Sequence, residues 1–381
     1  MKLGLFTHMS WPEGVNQTSV FHDSVEQVRL AESMGYHGAW FAEHHFTRYS
    51  MGSSVLLMLG HLAAVTEKIR LGTAVIVPNL HNPIRIAEDS ALVDLLSRGR
   101  LDVGFGRGTY GYEYGGFGVP VEDSQSRFRE TVLAVRDLWC DKDVSVNSPF
   151  FSVRNVDLVP SVIQSPHPPI YIAATRSEET LDFMISNQFL LCIAVVQDTD
   201  AALALVEKYR RLCHQEDQSD HMDDVPFFRY VHVADTERKA LENTKKHVDW
   251  IQDIMQWRRS LVGATEVHLP MKKWRNERNE LPPDNHYISE KRAFIGTPEA
   301  VAEKIITLKD HGISYFGCNF AMGGLSQEEV IKSMKLFEKK PINVRRKARR
   351  YVVLIPWAAR RSFQRRIPRA YLHKLMSMPW R

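Results

Sequence analysis

The 381-residue chain lacks paired cysteines, long apolar runs and, near its C-terminal end, acidic side chains. Its four cysteines, at positions 140, 192, 213 and 318, lie far apart and form no CxxC pair. This spacing argues against a disulfide framework or a cysteine metal site and is typical of a reducing compartment. No apolar run has the length that crosses a bilayer, and the first residues show no secretory pattern. We therefore expect a cytoplasmic protein.

The missing acidic residues divide the chain into two parts of opposite charge. Residues 341–381 contain 12 lysines and arginines and no acid, whereas residues 1–340 carry 37 basic and 45 acidic side chains. We predict a folded domain over 1–340 and a basic, aromatic-containing C-terminal tail over 341–381. An anionic membrane surface or an acidic protein partner is favoured for this tail over nucleic acid. Pro356 and Pro368 break any long amphipathic helix, so an inert extension is an equal alternative.

The acidic part of the chain alternates between short apolar runs and amphipathic stretches. Eight runs are typical of strands buried on both faces, namely residues 2–7, 38–43, 70–77, 101–106, 169–174, 190–196, 227–234 and 315–320. Eight strand–helix units predict an α/β fold, the (β/α)8 TIM barrel, with a doubly wound sheet as the alternative. Two insertions interrupt the pattern. We expect a small hairpin at 144–160 and an irregular, basic lid or binding loop at 257–293.

Polar side chains follow several predicted strands, where a parallel barrel places its active site. The second strand ends in Glu43, His44 and His45. Neighbouring residues of an extended chain point to opposite faces, and no HExxH-type spacing occurs, so we predict no metal site. We expect one histidine to face the barrel mouth, because an imidazole with a near-neutral pKa suits proton transfer. The alternative is a pair of histidines that only pack or face solvent.

The segment after the fourth strand is rich in glycine. Arg107, Gly108 and Thr109 lie within a match to GxGxxG, but the dinucleotide fingerprint requires a helix at its third glycine. We find no helical pattern before about residue 124 and interpret the segment as a loop that approaches a flat or anionic ligand. Arg107 could then bind a phosphate in bidentate fashion, or it could simply pair with Glu113.

A small and polar turn follows the fifth strand and leads into a predicted helix. Its residues are Ala174, Thr175, Arg176 and Ser177. The free N–H groups at a helix N-terminus form an anion site, and Arg176 adds positive charge. An ordinary capped helix is the alternative. Together with Arg107, this turn predicts a phosphate site.

Five motifs, in this order, resemble those of the bacterial luciferase-like family of flavin-dependent monooxygenases. They are FAEHHFT, IRLGTAVIVPNLHNPIRIAED, LLSRGRLDVGFGRGTYGYEYGGFGV, HPPIYIAATRSEETL and FIGTPEAVAEKI, and the resemblance covers about residues 1–340. It implies a two-component enzyme, usually a homodimer, that receives reduced FMN from a separate flavin reductase. Through a C4a-peroxyflavin formed with O2, such an enzyme oxidises a small organic substrate, here an aldehyde, acyl, amine or aromatic compound.

The resemblance also implies roles for individual residues. His44 is the expected catalytic imidazole, with His45 and Glu43 beside it. Thr73 and Ala74 match the place where the family has a non-prolyl cis peptide under the flavin ring. The FMN phosphate is assigned to Arg107 and to the turn formed by Thr175, Arg176 and Ser177. Gly108, Thr109 and Ala174 are expected to bind the cofactor beside them. A deazaflavin-dependent, hydride-transferring oxidoreductase and a non-catalytic flavin-binding protein are the alternatives.

Overall fold

The computed structural model describes residues 1–175, 177–218, 224–261 and 286–339. Arg176, the middle of the expected insertion at 257–293 and the tail at 341–381 lie outside the described residues.

Nine of the eleven strands found in the described residues form one parallel sheet. The strands are Lys2–Thr7 (β1), Gly38–Phe41 (β2), Arg70–Ile76 (β3), Leu101–Phe105 (β4), Val144–Asn147 (β5), Ser152–Val156 (β6), Ile170–Ala173 (β7), Leu190–Cys192 (β8), Pro226–Val233 (β9), Ala293–Gly296 (β10) and Tyr315–Asn319 (β11). Their order in the sheet is β10-β9-β11-β1-β2-β3-β4-β7-β8. The backbone of Ile193 bonds to Pro226 and Phe228 at 2.9 and 3.1 Å, which joins the end of β8 to β9 and closes the curled sheet. The (β/α)8 barrel is therefore confirmed.

Helices cover the outside of this sheet and connect most of its strands. They are Gln17–Ser33 (α1), Val55–Val65 (α2), Pro83–Ser97 (α3), Gly111–Phe117 (α4), Ser124–Cys140 (α5), Glu178–Ser186 (α6), Thr199–Gln215 (α7), Glu237–Ser260 (α8), His286–Lys291 (α9), Pro298–Asp310 (α10) and Gln327–Glu338 (α11). Local sequence sets several of their starts, as at Asn82, whose side chain accepts the Ile84 N–H directly before Pro83. Within the described ranges, none of these helices combines the length and apolarity needed to span a bilayer.

Large aromatic side chains facing glycines fill the barrel interior. Trp40 is fully buried, and its indole N–H donates to the Tyr315 hydroxyl at 2.7 Å. Gly72 is the register partner of Trp40, and a Cβ at Gly72 would lie 2.2 Å from the indole ring. A Cβ at Gly317 would likewise lie 2.1 Å from the ring of Phe228. The interior is thus a packed core, and polar chemistry is left to the strand ends.

Both predicted insertions can be compared with the structure. The hairpin at 144–160 is confirmed, because β5 and β6 pair antiparallel there. The expectation of an irregular segment over 257–293 is wrong at both ends. Helix α8 continues to Ser260 because Trp257 and Arg258 extend its buried face, and α9 and the start of β10 occupy the far end.

The expectation that no helix precedes residue 124 in the glycine-rich segment is also wrong. Helix α4 begins at Gly111, the third glycine of the motif, and ends before Gly118, which has a φ of 67°. Glycine disfavours a helix intrinsically, but Tyr112 and Tyr114 are fully buried here. Their packing outweighs the local preference, and a seven-residue helix results.

Candidate active site

The segment that follows β2 lies directly against the end of β3. Phe41 and Thr73 are register partners, and two residues further on the Glu43 N–H donates to the Val75 carbonyl at 3.1 Å. The peptide between Ala74 and Val75 is cis, at the place where the family resemblance implied one. The Thr73 hydroxyl exchanges hydrogen bonds of 2.9 and 2.8 Å with the Gly104 backbone, so it joins β3 to β4. Ala74 is partly buried at this edge.

The adjacent histidines have separate sets of neighbours. Nδ1 of His44 lies 3.1 Å from Oε1 of Glu113 and 2.9 Å from Nη2 of Arg258. Nε2 of His45 lies 2.9 Å from Oε1 of Glu43. About 21% of the His44 side chain is exposed, against 6% for His45. His44 is therefore the histidine that a bound molecule can reach.

Arg258 of α8 lies beneath His44. Its Nε donates to the Tyr112 hydroxyl at 2.8 Å, and its guanidinium carbon lies 4.0 and 3.8 Å from the ring centroids of Tyr49 and Tyr110. A guanidinium between two aromatic faces is favoured because the ring quadrupoles attract the cation. Its side chain is only 1% exposed, so the positive charge is held inside the protein.

Glu113 supplies the negative charge of this cluster. Burial by itself would raise its pKa, but His44 and Arg258 lower the pKa to about 2. Burial lowers the pKa of His44, and Arg258 lowers it further against the opposing effect of Glu113. Near neutral pH the cluster therefore contains a carboxylate, a guanidinium and a neutral imidazole.

His8, at the end of β1, stands next to this cluster. Its ring centroid is 6.3 Å from that of His44, and its Nε2 lies 3.0 Å from the Tyr49 hydroxyl. The Asn319 amide donates to its Nδ1 at 3.2 Å. Burial is the main cause that holds the pKa of His8 well below its usual value, and the neighbouring His44 and Arg258 lower it further. His8 thus adds a neutral, fixed imidazole to the barrel mouth.

Glu43, His45 and His81 form a second buried cluster. Oε1 of Glu43 lies 2.9 Å from Nε2 of His45 and 2.8 Å from Nε2 of His81, while Oε2 accepts the Val77 N–H at 3.2 Å. Burial would raise the pKa of Glu43, but its bonds to the two histidines lower it. Burial would lower the pKa of His81, but Glu43 raises it.

This second cluster has the donor set that can hold a metal ion. One carboxylate oxygen and two imidazole nitrogens lie within 4.8 Å of one another. Such a set suits a first-row transition metal. The reasoning from sequence against a metal considered only His44 and His45, which indeed point apart, and it did not consider His81. In the structure the Nε2 atoms of both imidazoles lie within hydrogen-bond distance of the Glu43 carboxylate.

The residues after β4 and β7 lie on one edge of the sheet. Phe105 and Ile172 are register partners, so Arg107 and Ala174 each follow two positions later. Arg107 is exposed, forms no ion pair within the described residues, and its Nη1 lies 3.3 Å from the Ser124 hydroxyl. The alternative pairing of Arg107 with Glu113 is therefore absent, because His44 and Arg258 occupy that carboxylate.

The other described residues of the predicted phosphate site differ in exposure. Gly108 has a φ of +80°, and Thr109 is exposed. Ala174 is buried, Thr175 is exposed, and the Ser177 side chain caps α6 by accepting the Thr180 N–H at 3.3 Å.

Acidic side chains begin helix α6 and would oppose an anion there. Both form ion pairs with basic side chains, since Glu178 lies 2.5 Å from Lys208 and Glu179 lies 3.3 Å from Arg129. Paired in this way, they oppose an anion less than free carboxylates would.

Reasoning from the sequence missed two participants. Arg258 lay inside the stretch interpreted as an irregular insertion, but a charged residue that continues the apolar spacing of Ile251 and Ile254 is a signal for a buried functional group. His81 follows the end of β3 and was not considered as a neighbour of Glu43. The pairing of β2 with β3, both already predicted, would have placed it there.

A family model described as luciferase-like monooxygenase matches residues 1–315. The chain belongs to the luciferase-like monooxygenase family. The resemblance read from the sequence is thus confirmed.

Two characterised relatives illustrate the range of the family. The chain is 29% identical over 244 residues to the oxygenase component of flavin-dependent trigonelline monooxygenase from Acinetobacter baylyi, covering 63% of this chain and 67% of that protein. It is 25% identical over 352 residues to the alkanal monooxygenase alpha chain of Photorhabdus luminescens, covering 89% and 95%.

Solved structures share the fold. Monooxygenase RslO1 from Streptomyces bottropensis superimposes with a TM-score of 0.78 at 23% identity, covering 89% of this chain and 98% of that one. The oxygenating constituent of 3,6-diketocamphane monooxygenase from Pseudomonas putida, in complex with FMN, has a TM-score of 0.71 at 16% identity, covering 89% and 97%. An F420-dependent secondary alcohol dehydrogenase has a TM-score of 0.64 at 16% identity, covering 86% and 97%.

Proposed function

We propose that this chain is the oxygenase component of a two-component monooxygenase that uses reduced FMN and O2 to oxidise a small organic substrate. The observation that carries the proposal is the exposed edge of His44 above the buried pair of Glu113 and Arg258. A polar, pre-organised group at the mouth of the barrel is what the chemistry of an oxygenated flavin requires.

The balance of the reaction assigns the groups that must meet. Reduced FMN supplies two electrons, one oxygen atom of O2 enters the substrate, and the other leaves as water. Protons must therefore be held or delivered beside the flavin. We assign this task to the partly exposed His44, with Glu43 and His45 supporting the segment that carries it.

The donor set of the barrel edge suits a phosphorylated flavin. We assign the phosphate to the exposed guanidinium of Arg107 and to the α6 N-terminus at Ser177. Gly108, Thr109, Ala174, Thr175 and Arg176 complete this site in the proposal. The partly buried Ala74 has a small side chain, against which the planar flavin ring can lie. Thr73 would line the site beside it.

The substrate meets aromatic walls in this proposal. Tyr110 and Tyr49 flank the Arg258 cluster, and Trp11 lies partly buried against the core. These surfaces favour an aldehyde, acyl, amine or aromatic compound. The reduced flavin would come from a separate flavin reductase. That partner is proposed because the Acinetobacter relative is named as the oxygenase component of its system.

Rapid mixing tests the proposal. The full chain with anaerobically reduced FMN is mixed with oxygenated buffer, and the return of oxidised FMN is followed by absorbance. We expect oxidised FMN to return much more slowly than in free solution, and faster again in His44→Ala. Oxidation at the free-solution rate, with substrates of the four classes present or absent, would contradict the proposal.

Two companion measurements separate the alternatives. Tight binding of a reduced deazaflavin with weak FMN binding would instead support a hydride-transferring reductase, whose barrel is shared. Tight binding of reduced FMN without any change in its rate of oxidation by O2 would support a non-catalytic flavin-binding protein. Arg107→Met should weaken FMN binding but leave riboflavin binding unchanged, because riboflavin lacks the phosphate. Arg98→Met, at the C-cap of α3, is a matched surface control.

We also propose a homodimer, formed through helices α2 and α3. Leu92 and Leu96 recur one turn apart on α3 and are 49% and 54% exposed, and Leu57 of the contacting helix α2 is 76% exposed. Apolar side chains on one face are what a two-fold interface with a second copy buries. Size-exclusion chromatography with light scattering should show a dimer, and the variant Leu92→Lys, Leu96→Glu should be monomeric.

The final proposal concerns domain organisation. We assign catalysis to a cytoplasmic domain spanning residues 1–340 and peripheral association with an anionic membrane or an acidic partner to 341–381. Support comes from the twelve cations and absent acids of the tail. Sedimentation with anionic vesicles, but not with neutral ones, would support membrane binding. Equal recovery in the supernatant with both would contradict it.

A further inference from the structure

The ring nitrogen Nδ1 of His44 has two neighbours that require opposite protonation states of it. Nη2 of Arg258 lies 2.9 Å away, and Oε1 of Glu113 lies 3.1 Å away. A guanidinium only donates, so its hydrogen bond requires an Nδ1 without a proton. A carboxylate only accepts, so its contact is a hydrogen bond only when Nδ1 carries a proton. One nitrogen cannot satisfy both in the same state.

Arg258 is the neighbour whose position and charge are fixed. Its Nε donates to the Tyr112 hydroxyl at 2.8 Å, and the rings of Tyr49 and Tyr110 enclose its guanidinium. Its side chain is almost completely buried. A guanidinium does not lose its proton in proteins, so the donor towards His44 is fixed in both position and charge.

Glu113 does not depend on a proton at Nδ1. Its Oε1 also accepts the backbone N–H of His45 at 3.1 Å and the Tyr112 hydroxyl at 3.4 Å, and it lies 3.5 Å from the Arg258 guanidinium. An Nδ1 without a proton therefore leaves the carboxylate with donors. A protonated Nδ1 would instead set its N–H against the N–H of Arg258.

The ring of His44 carries a single proton near neutral pH. Burial lowers the pKa of His44, and Arg258 lowers it further, while Glu113 opposes them. The other groups that face the ring are His8, Glu43, Tyr49 and Tyr110. A neutral imidazole has its proton on one of two nitrogens, and the surroundings of Nδ1 decide which.

We propose that Arg258 is a positioning residue that holds His44 as the neutral tautomer protonated at Nε2. This proposal rests on the assignment of His44 to the flavin chemistry and specifies how His44 acts there. Because Nδ1 faces Arg258 inside the protein, the exposed fifth of the side chain is the opposite ring edge, which carries Nε2. His44 then presents an N–H donor to the mouth.

The tautomer determines what His44 can do. With Nδ1 occupied by a donor, Nε2–H offers a hydrogen bond to an oxygen atom on which negative charge develops. The opposite tautomer would offer a bare Nε2, which accepts a proton and acts as a base. Arg258 therefore selects a hydrogen-bond donor at this position.

Nitrogen NMR of the full chain tests the tautomer directly, without any flavin. Protein labelled with 15N in its histidine rings shows for each ring which nitrogen is protonated, and a His44→Gln spectrum identifies the His44 signals. We expect a protonated Nε2 and a bare Nδ1 near neutral pH. A protonated Nδ1 in the wild type would overturn the proposal, and this result needs no variant to fold.

Variants at position 258 test the cause. In Arg258→Met the proton should move to Nδ1, where Glu113 accepts it, and the pKa of His44 should rise because a buried cation is gone. Arg258→Lys keeps a donor and a charge and should retain the Nε2–H tautomer. Arg259→Met, at the exposed neighbouring position, is the matched control and should change neither property.

The outcomes are independent of the proposed monooxygenase activity. If Arg258→Met leaves the tautomer and the pKa of His44 unchanged, Arg258 does not position the ring, whatever the flavin experiments show. If the tautomer behaves as expected but reduced FMN is oxidised at its free-solution rate, the proposed function fails and the tautomer assignment stands. Thermal unfolding of each variant confirms that the signals come from folded protein.

Discussion

Two buried carboxylates stand beside adjacent histidines, and the cations opposite them differ. Glu113 faces Arg258, whose charge is permanent, together with His44. Glu43 instead lies against the imidazoles of His45 and His81, with no guanidinium bonded to it in the described residues. Both carboxylates are almost inaccessible, with 1% and 2% of their side chains exposed. The two carboxylates are thus similarly buried but face different basic groups, a guanidinium in one case and imidazoles in the other.

The difference between the two carboxylates indicates that the end of β2 carries two clusters with separate roles. A carboxylate opposite a guanidinium stays charged over a wide pH range, so the ring between them experiences a constant field. The Glu43 carboxylate instead raises the pKa of His81, so this cluster contains a group whose charge changes with pH. We interpret the first cluster as the fixed surroundings of a reacting group and the second as the support of the segment that carries it.

The largest expected effect is on activity and separates His44 from His45. His44→Ala should lower substrate oxidation by roughly 100-fold or more, because a positioned proton-bearing group is lost. His45→Gln should lose less activity but more stability, since its buried partner Glu43 loses a hydrogen bond. Turnover per folded molecule and unfolding in denaturant measure the two quantities. Equal loss of activity in both variants would contradict the separation.

The next effect is on stability and separates the two carboxylates. Glu113→Gln leaves the buried charge of Arg258 without its counter-ion and should cost about 3–5 kcal/mol. Glu43→Gln should cost about 1–3 kcal/mol, because it disrupts the hydrogen bonds to His45 and His81 but leaves no guanidinium without a counter-ion. Denaturant unfolding at neutral pH measures both free energies. A larger cost for Glu43→Gln would show that the contacts of Glu43 with its imidazoles stabilise the protein more than the contact of Glu113 with the guanidinium.

A third prediction uses the acid range. The pKa of Glu113 is about 2 in the folded protein and near 4.5 when unfolded, so the unfolded chain binds the proton more tightly. The stabilisation is complete above the unfolded pKa and is lost as pH falls from about 4.5 towards 2. It amounts to about 3 kcal/mol. Unfolding followed across this range should show a steeper acid loss in wild type than in Glu113→Gln.

The smallest expected effect concerns the contribution of His81 to stability, which changes with pH in the opposite direction to that of Glu113. Its folded pKa lies above 6.5, so its stabilising contribution is present below that value and is lost as pH rises through the folded pKa. The side chain is 31% exposed, which limits the contribution to less than about 1 kcal/mol. The stability difference between wild type and His81→Gln should be larger at mildly acidic than at mildly alkaline pH. A constant difference would show that His81 does not titrate with Glu43.

Much of the fold could be predicted because its signals are local. Each of the eight apolar runs read as a strand overlaps a barrel strand, and the hairpin at 144–160 is present. Local reasoning failed where packing opposed it. Helix α4 starts in a glycine-rich segment because Tyr112 and Tyr114 are buried, and β10 forms beside β9 although its four residues give little signal.

The site divides in the same way. The sequence by itself determined that Glu43, His44 and His45 end a strand and that Arg107 and Ser177 follow two others, because strand ends are a property of the apolar pattern. Only the tertiary structure decided that Glu113 and Arg258 meet His44 and that His81 meets Glu43. The contact of Arg258 with His44 spans 214 positions of the chain, and no local pattern encodes it. The closed barrel brings these charges together, and burial then makes their interaction strong enough to set the protonation of the histidines.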